Sequence, residues 1–147
     1  MEERILSLEQ QLTFNVEVLY SLQRHVRRAP DMSQAEFRGI AADILMRHPN
    51  IQALEWIPRV PHEERTAFET SRRADYPDFE IREQDATEAM VPATVRPEYY
   101  PVSYVEPHEG NERAVGFDLA SISIRRASLV AAAETGDLRI SGVVGLV

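Results

Sequence analysis

The sequence contains no cysteine and no lysine. Without cysteine, a disulfide framework and a cysteine-ligated metal site are both excluded. The 16 basic residues are all arginine and face 24 acidic residues, so the net charge is −8. A chain with this balance has no basic face for phosphate groups, and we therefore expect no nucleic-acid partner.

A catalytic constellation is also lacking. His62–Arg65 superficially resembles a zinc-protease helix, but that motif needs a second histidine four positions after the first, where this chain has Thr66. The glycines form no phosphate cradle and the serines no nucleophile elbow. We therefore expect no catalytic residue, no metal and no cofactor. The acids Glu55, Glu106 and Asp118 leave a stand-alone hydrolase as the weakest alternative.

Hydrophobic runs are short as well: none approaches the roughly 18 apolar residues of a membrane-spanning helix. The first residues lack the apolar core of a signal peptide. Residues 3–28 instead carry apolar side chains at helical spacing, which predicts one long helix. Its near-heptad pattern is compatible with a coiled-coil stalk or with an amphipathic helix lying on its own domain. In the stalk interpretation the dimer contact uses Leu8, Leu12, Leu19 and Leu22.

A second helix is predicted after residue 33. Ser33–Glu36 has the pattern of a capping box, and His48–Asn50 ends the helical periodicity. Residues 51–57 predict a strand. Pro61 suits the first position of a further helix, which we expect to run to about Ala74.

Shorter elements follow. Alternating apolar residues predict strands at 79–83 and 102–105. Residues 84–98 between them are predicted to form a long loop or an irregular helical insert. A serine cap predicts a helix ending at Thr135. Residues 138–147 predict a strand without a following turn, so we expect the sequence to stop inside a larger domain. Helices followed by strands that alternate with helices indicate an α+β fold.

Three blocks in order resemble the CHASE sensory domains. The first is ALEWIPRVP at 53–61; the second is PEYYPVSYVEP at 97–107, continued by GFD at 116–118; the third is the helix that ends in ETG at 134–136. The resemblance covers about residues 14–147. It implies a long N-terminal helix, then a membrane-distal PAS-like subdomain with an antiparallel sheet flanked by helices, and the start of a membrane-proximal one. We place these parts at 1–30, 31–137 and 138–147.

The candidate ligand-binding residues are Asp118, Phe117, Tyr104 and Ile140. Asp118 lies in an apolar run, so its carboxylate must be solvated, paired or presented to a cavity. In the similar plant cytokinin receptors the matching aspartate contacts the ligand, which implies the same role here; the alternative is a cap on the following helix. For Tyr104 and Ile140 the alternative to a ligand contact is core packing.

The resemblance implies a non-enzymatic sensor of small molecules. The parent protein would be a membrane-anchored histidine kinase or diguanylate cyclase, and this module would lie in the periplasm as a homodimer and pass ligand state to a cytoplasmic output domain. The alternative outside the sensor class is a dimerisation domain that binds no ligand.

Overall fold

The structure, a computed structural model, describes residues 32–135. The chain divides into two compact units at Gln52 and Ala53, and each is described by itself. The predicted helix at 3–28, the predicted strand at 138–147 and Ile140 lie outside the described residues. The subdomain boundaries at 30 and 137 therefore stay predictions.

In the first unit, helix α1 spans Gln34–Arg47. The predicted capping box is confirmed: the Glu36 amide donates to the Ser33 hydroxyl, and the Ser33 amide donates to the Glu36 carboxylate. Phe37 and Ala41, four positions apart, are buried. The helix ends before Pro49, as the sequence predicts.

The second unit alternates short strands with helical segments. A 3₁₀ turn at His62–Glu64 leads into helix α2 at Arg65–Arg72, further 3₁₀ turns lie at Glu112–Ala114 and Leu119–Ser121, and helix α3 spans Ser123–Thr135. The strands are β1 at Leu54–Trp56, β2 at Val60–Pro61, β3 at Arg82–Gln84, β4 at Met90–Pro92, β5 at Glu98–Tyr99 and β6 at Tyr104–Glu106.

The strands pair antiparallel as β1 with β6, β2 with β5, and β3 with β4. The register is fixed by Trp56 opposite Tyr104, Val60 opposite Tyr99 and Glu83 opposite Val91. Small antiparallel sheets between helices confirm the predicted α+β class and are consistent with a PAS-like arrangement. Within residues 32–135, no helix has the length and apolar character needed to cross a bilayer.

The segment 116–118 joins two parts of this fold. On one side, the Arg82 amide donates to the Gly116 carbonyl and the Asp118 amide to the Arg82 carbonyl. On the other, the Gly116 amide donates to the Val102 carbonyl, and the Val102 amide donates to the Phe117 carbonyl. Hydrogen bonds on both edges provide partners for the buried N–H and C=O groups of this segment, and they fix the orientation of Asp118.

The core of this unit forms around that segment. Its buried members come from β2, β5 and β6, from residues that flank the strands and from the 112–119 region: Val60, Phe79, Ile81, Ala93, Tyr99, Val102, Val105, Val115, Phe117 and Leu119.

Two predictions about local structure are wrong. The segment 84–98 is not a long loop or a helical insert, because it contains the end of β3, all of β4 and the first residue of β5. Its hairpin turn is held by Asp85, whose carboxylate accepts from the Thr87 and Ala89 amides. Pro61 does not begin a helix: it pairs with Glu98 as the last residue of β2, and the following α-helix ends at Arg72.

Candidate functional site

Asp118 lies at the centre of the candidate site, with no exposed side-chain surface. One carboxylate oxygen, Oδ1, accepts from the Tyr100 amide at 2.8 Å and from the Ala120 amide at 3.1 Å. The Ala120 contact caps the 3₁₀ turn at Leu119–Ser121. The capping contact that the sequence offered as an alternative is therefore present, although on this turn and not on α3.

The other oxygen of Asp118 belongs to an ion pair. Arg96 donates from Nη1 to Oδ2 of Asp118 at 3.0 Å, and its Nη2 donates to the carboxylate of Glu83 on β3. Both flanking acids are little exposed. Arg96 thus neutralises two carboxylates that would otherwise repel one another at close range.

Arg96 is tied in turn to helix α2 through Tyr99. The Arg96 amide donates to the Tyr99 hydroxyl at 3.1 Å, and Arg65 donates to the same oxygen at 3.3 Å. Arg65 also bonds Glu69, and its guanidinium lies 4.9 Å from the centre of the Tyr99 ring. This network holds the 93–98 segment against α2. A displacement of the Arg96 backbone would change its hydrogen bond to Tyr99, which also bonds Arg65 on the helix.

Burial raises the pKa of Asp118 above its ordinary value, and the nearby Glu83 carboxylate acts in the same direction. The Tyr100 and Ala120 amides and Arg96 oppose that rise. The pKa of Asp118 therefore depends strongly on these hydrogen-bond donors, because a buried carboxylate cannot accept hydrogen bonds from water in their place.

Tyr104 lies in different surroundings. Its side chain is buried, and its hydroxyl donates to Asp75 at 3.2 Å. The guanidinium of Arg72 lies 5.0 Å from its ring centre. These contacts involve other residues than the hydrogen bonds and the ion pair of Asp118 described above.

Phe117 is buried in the hydrophobic core next to Asp118. Ile140, the fourth candidate, lies outside the described residues. The ligand roles of all four residues remain predictions. Among residues 32–135, no cluster of three or more metal-ligating side chains occurs.

Sequence reasoning missed Arg96 and Glu83, the residues that compensate Asp118. The usable signal was the length of the segment 84–98, since long segments in compact domains are often functional. The interpretation of this segment as a loop did not predict the β3–β4 hairpin, and therefore did not predict the ion pair between Glu83 and Arg96.

Comparisons with known proteins identify the family of the chain. The family model described as "CHASE domain" matches residues 30–147. A similar protein is "Hybrid signal transduction histidine kinase A" of Dictyostelium discoideum, 26% identical over 88 residues. The match covers 59% of this chain but only 4% of that kinase. The family match extends over most of the sequence, and the chain belongs to the CHASE domain family, a sensor module of signalling proteins.

Proposed function

We propose that this module senses a small molecule outside the cytoplasm and reports its presence to a cytoplasmic output domain. The observation that carries the proposal is the buried Asp118 carboxylate, held by one arginine and two backbone amides within a CHASE domain. Buried charges are costly unless paired, so such a group at the centre of a sensor is a reasonable ligand anchor.

The proposed ligand presents N–H donors to Asp118. Oδ1 already accepts from two backbone amides, whereas Oδ2 accepts from Arg96 alone. Ligand donors would therefore compete with Arg96 at Oδ2, at the strength of charge-assisted hydrogen bonds. Phe117, Tyr104 and Ile140 would supply apolar contacts around the ligand.

Release of Arg96 gives this binding event a structural consequence. Arg96 is linked through Tyr99 to Arg65 on α2, so the ligand-bound and ligand-free arrangements would differ in how 93–98 is held against the helix. A ligand shifts such an equilibrium only by its difference in affinity for the two arrangements.

The parent protein is proposed to be a membrane-anchored histidine kinase or diguanylate cyclase. The name of the similar Dictyostelium protein supports a kinase. The homodimer, with its stalk contact through Leu8, Leu12, Leu19 and Leu22, and the periplasmic location both belong to this proposal. Sedimentation of the chain at high concentration tests the dimer, and a strictly monomeric chain would contradict it.

A dimerisation domain without a ligand is the second candidate. The same carboxylate supports it, because three protein donors already satisfy Asp118. In that case Asp118 has only the structural role of capping the 3₁₀ turn and pairing with Arg96.

A thermal-shift screen with a library of small metabolites separates the two candidates. We expect at least one compound to raise the melting temperature of the wild type, because a ligand that binds only the folded state stabilises it. The same compound should have no effect on Asp118→Asn but should act normally on Asp43→Asn, which changes an exposed acid on α1. A compound that stabilises Asp118→Asn to the same extent as the wild type would show that Asp118 does not contact the ligand. A library without any stabilising compound would favour the structural candidate.

A further inference from the structure

Arg72 at the end of α2 has no anionic partner within the part of the chain that the structure describes. Its side chain is half-buried, and its Nε is buried without a hydrogen bond. The other half-buried arginines of the strand and α2 region each have a side-chain hydrogen bond: Arg65 to Glu69, Arg96 to Glu83 and Asp118, and Arg82 to the Val115 carbonyl through Nη2, although the Nε of Arg82 is also without a partner. An unsatisfied buried donor on a charged group is costly, so it calls for an explanation.

Two aromatic rings hold this guanidinium in place. Its central carbon lies 5.2 Å from the centre of the Phe68 ring and 5.0 Å from that of Tyr104. Cation–π contacts of this kind orient a guanidinium without using any of its N–H donors. Arg72 is thus positioned and partly desolvated, and its Nε has no acceptor among the described residues.

The same aromatic cluster contains a second nitrogen without a partner. Tyr76 packs on Tyr104 at 6.4 Å between ring centres and on His108 at 5.3 Å. The Nδ1 atom of His108 is buried and has no hydrogen bond. Arg72 lies over Tyr104, His108 packs on Tyr76, and the two tyrosines pack on one another, so the two unpartnered nitrogens belong to one aromatic cluster.

We propose that Arg72 is the anion-binding residue of a site for small monocarboxylates beside Tyr104 and Tyr76. A planar carboxylate matches the fork of the guanidinium and can accept two hydrogen bonds from it. The acids nearby favour a single negative charge on the ligand. Asp75 is bonded to the Tyr104 hydroxyl, and Glu112 is near enough to His108 for their charges to interact. A dianion such as phosphate would be repelled by both acids.

The test observes Arg72 directly in the 147-residue chain. The Nε–Hε signal of Arg72 is followed by NMR during titration with sodium acetate and sodium benzoate, with sodium chloride at equal ionic strength as the control. We expect a saturable shift with both carboxylates, a weaker effect of inorganic phosphate, and none with chloride beyond the effect of ionic strength. A shift that does not saturate, or an equal response to chloride, would overturn the proposal.

Variants separate binding from folding, which is checked for each by its backbone spectrum. Arg72→Gln should abolish acetate binding as followed on the amide signals of Phe68 and Tyr104. Arg72→Lys, which keeps the charge but loses the fork, should weaken it about tenfold or more. Arg47→Gln, which changes an arginine paired with Asp43 on α1, should bind like the wild type.

Unchanged affinity in a folded Arg72→Gln or Arg72→Lys chain would refute the role of Arg72. If neither variant folds, the titration of the wild type decides by itself. The proposal does not depend on Asp118 as a ligand anchor: Asp118→Asn should bind acetate within about twofold of the wild type, because no described contact joins Asp118 to Arg72.

Discussion

A Cβ atom on Gly116 would lie 2.3 Å from the backbone carbonyl oxygen of Glu80. Gly116 also has a φ of 84°, in the left-handed region. Both facts follow from the position of the 116–118 segment, which is hydrogen-bonded on both edges. The glycine therefore permits the close backbone approach that places Asp118 in the core.

We expect Gly116→Ala to be strongly destabilising, by about 2–3 kcal/mol or more. The left-handed conformation costs a residue with a Cβ about 1–2 kcal/mol, and the contact with Glu80 involves rigid backbone that must shift. Urea unfolding followed by circular dichroism measures the loss. Gly39→Ala is the matched control: Gly39 lies within α1, and a Cβ atom added there would meet nothing within 4 Å, so alanine should stabilise that helix by about 0.5–1 kcal/mol. A Gly116→Ala chain as stable as the wild type would show that the segment has room to move.

The sequence predicted the elements whose signals are local. The Ser33–Glu36 capping box and Pro49 bounded α1 correctly, and the run before Thr135 was predicted to be helical and forms α3. A capping box or a helix-ending proline is defined by residues within about four positions of one another. Such a signal can therefore be recognised in a single sequence.

Long-range contacts could not be predicted in the same way. β5 and β2 are only two residues long, too short for a pattern of alternation to identify them. Arg96 is separated from Asp118 by 22 positions and from Glu83 by 13, and nothing in their spacing indicates an ion pair. The family resemblance selected Asp118, but only the folded chain shows which residue neutralises it.

The ion pair between Arg96 and Asp118 predicts a large effect of removing the cation. Arg96→Gln leaves Asp118 charged, fully buried and without its positive partner, which typically costs about 3–5 kcal/mol. Denaturant unfolding at neutral pH measures this loss. Arg59→Gln, which breaks a more exposed pair with Glu98, should cost much less, because solvent screens that pair.

Adding Asp118→Asn to Arg96→Gln removes the stranded charge and should recover part of the lost stability. The recovery identifies the cause, because a purely steric loss at Arg96 would not depend on residue 118. Strict additivity of the two substitutions would show that the residues do not interact energetically.

The raised pKa of Asp118 predicts a specific pH dependence. Burial, the largest cause, makes the folded state bind the Asp118 proton more tightly than the unfolded state, whose value is near 3.8. The contribution of this group to stability is therefore most favourable below the unfolded pKa and declines as the pH rises through the folded one. The stability of the wild type minus that of Asp118→Asn should fall as the pH rises from the unfolded value of 3.8 towards neutral pH. A difference that rises over this interval would mean that Arg96 and the two amides outweigh burial.

The capping box of α1 predicts the opposite pH dependence. The Ser33 amide and hydroxyl lower the pKa of Glu36, with the backbone amide as the larger cause. The Glu36 contribution is therefore complete above its unfolded value of 4.5 and is lost as the pH falls through the folded pKa. Ser33→Ala should cost α1 about 0.5–2 kcal/mol and reduce this pH dependence.

Hydrogen exchange at the Glu36 amide measures the effect locally, since this amide donates to the Ser33 hydroxyl at 3.3 Å. Exchange at that position should accelerate in Ser33→Ala and stay close to the wild-type rate in Ser33→Thr, because threonine keeps the hydroxyl acceptor. Equal exchange rates in the alanine and threonine variants would mean that the backbone turn, and not the Ser33 side chain, begins the helix.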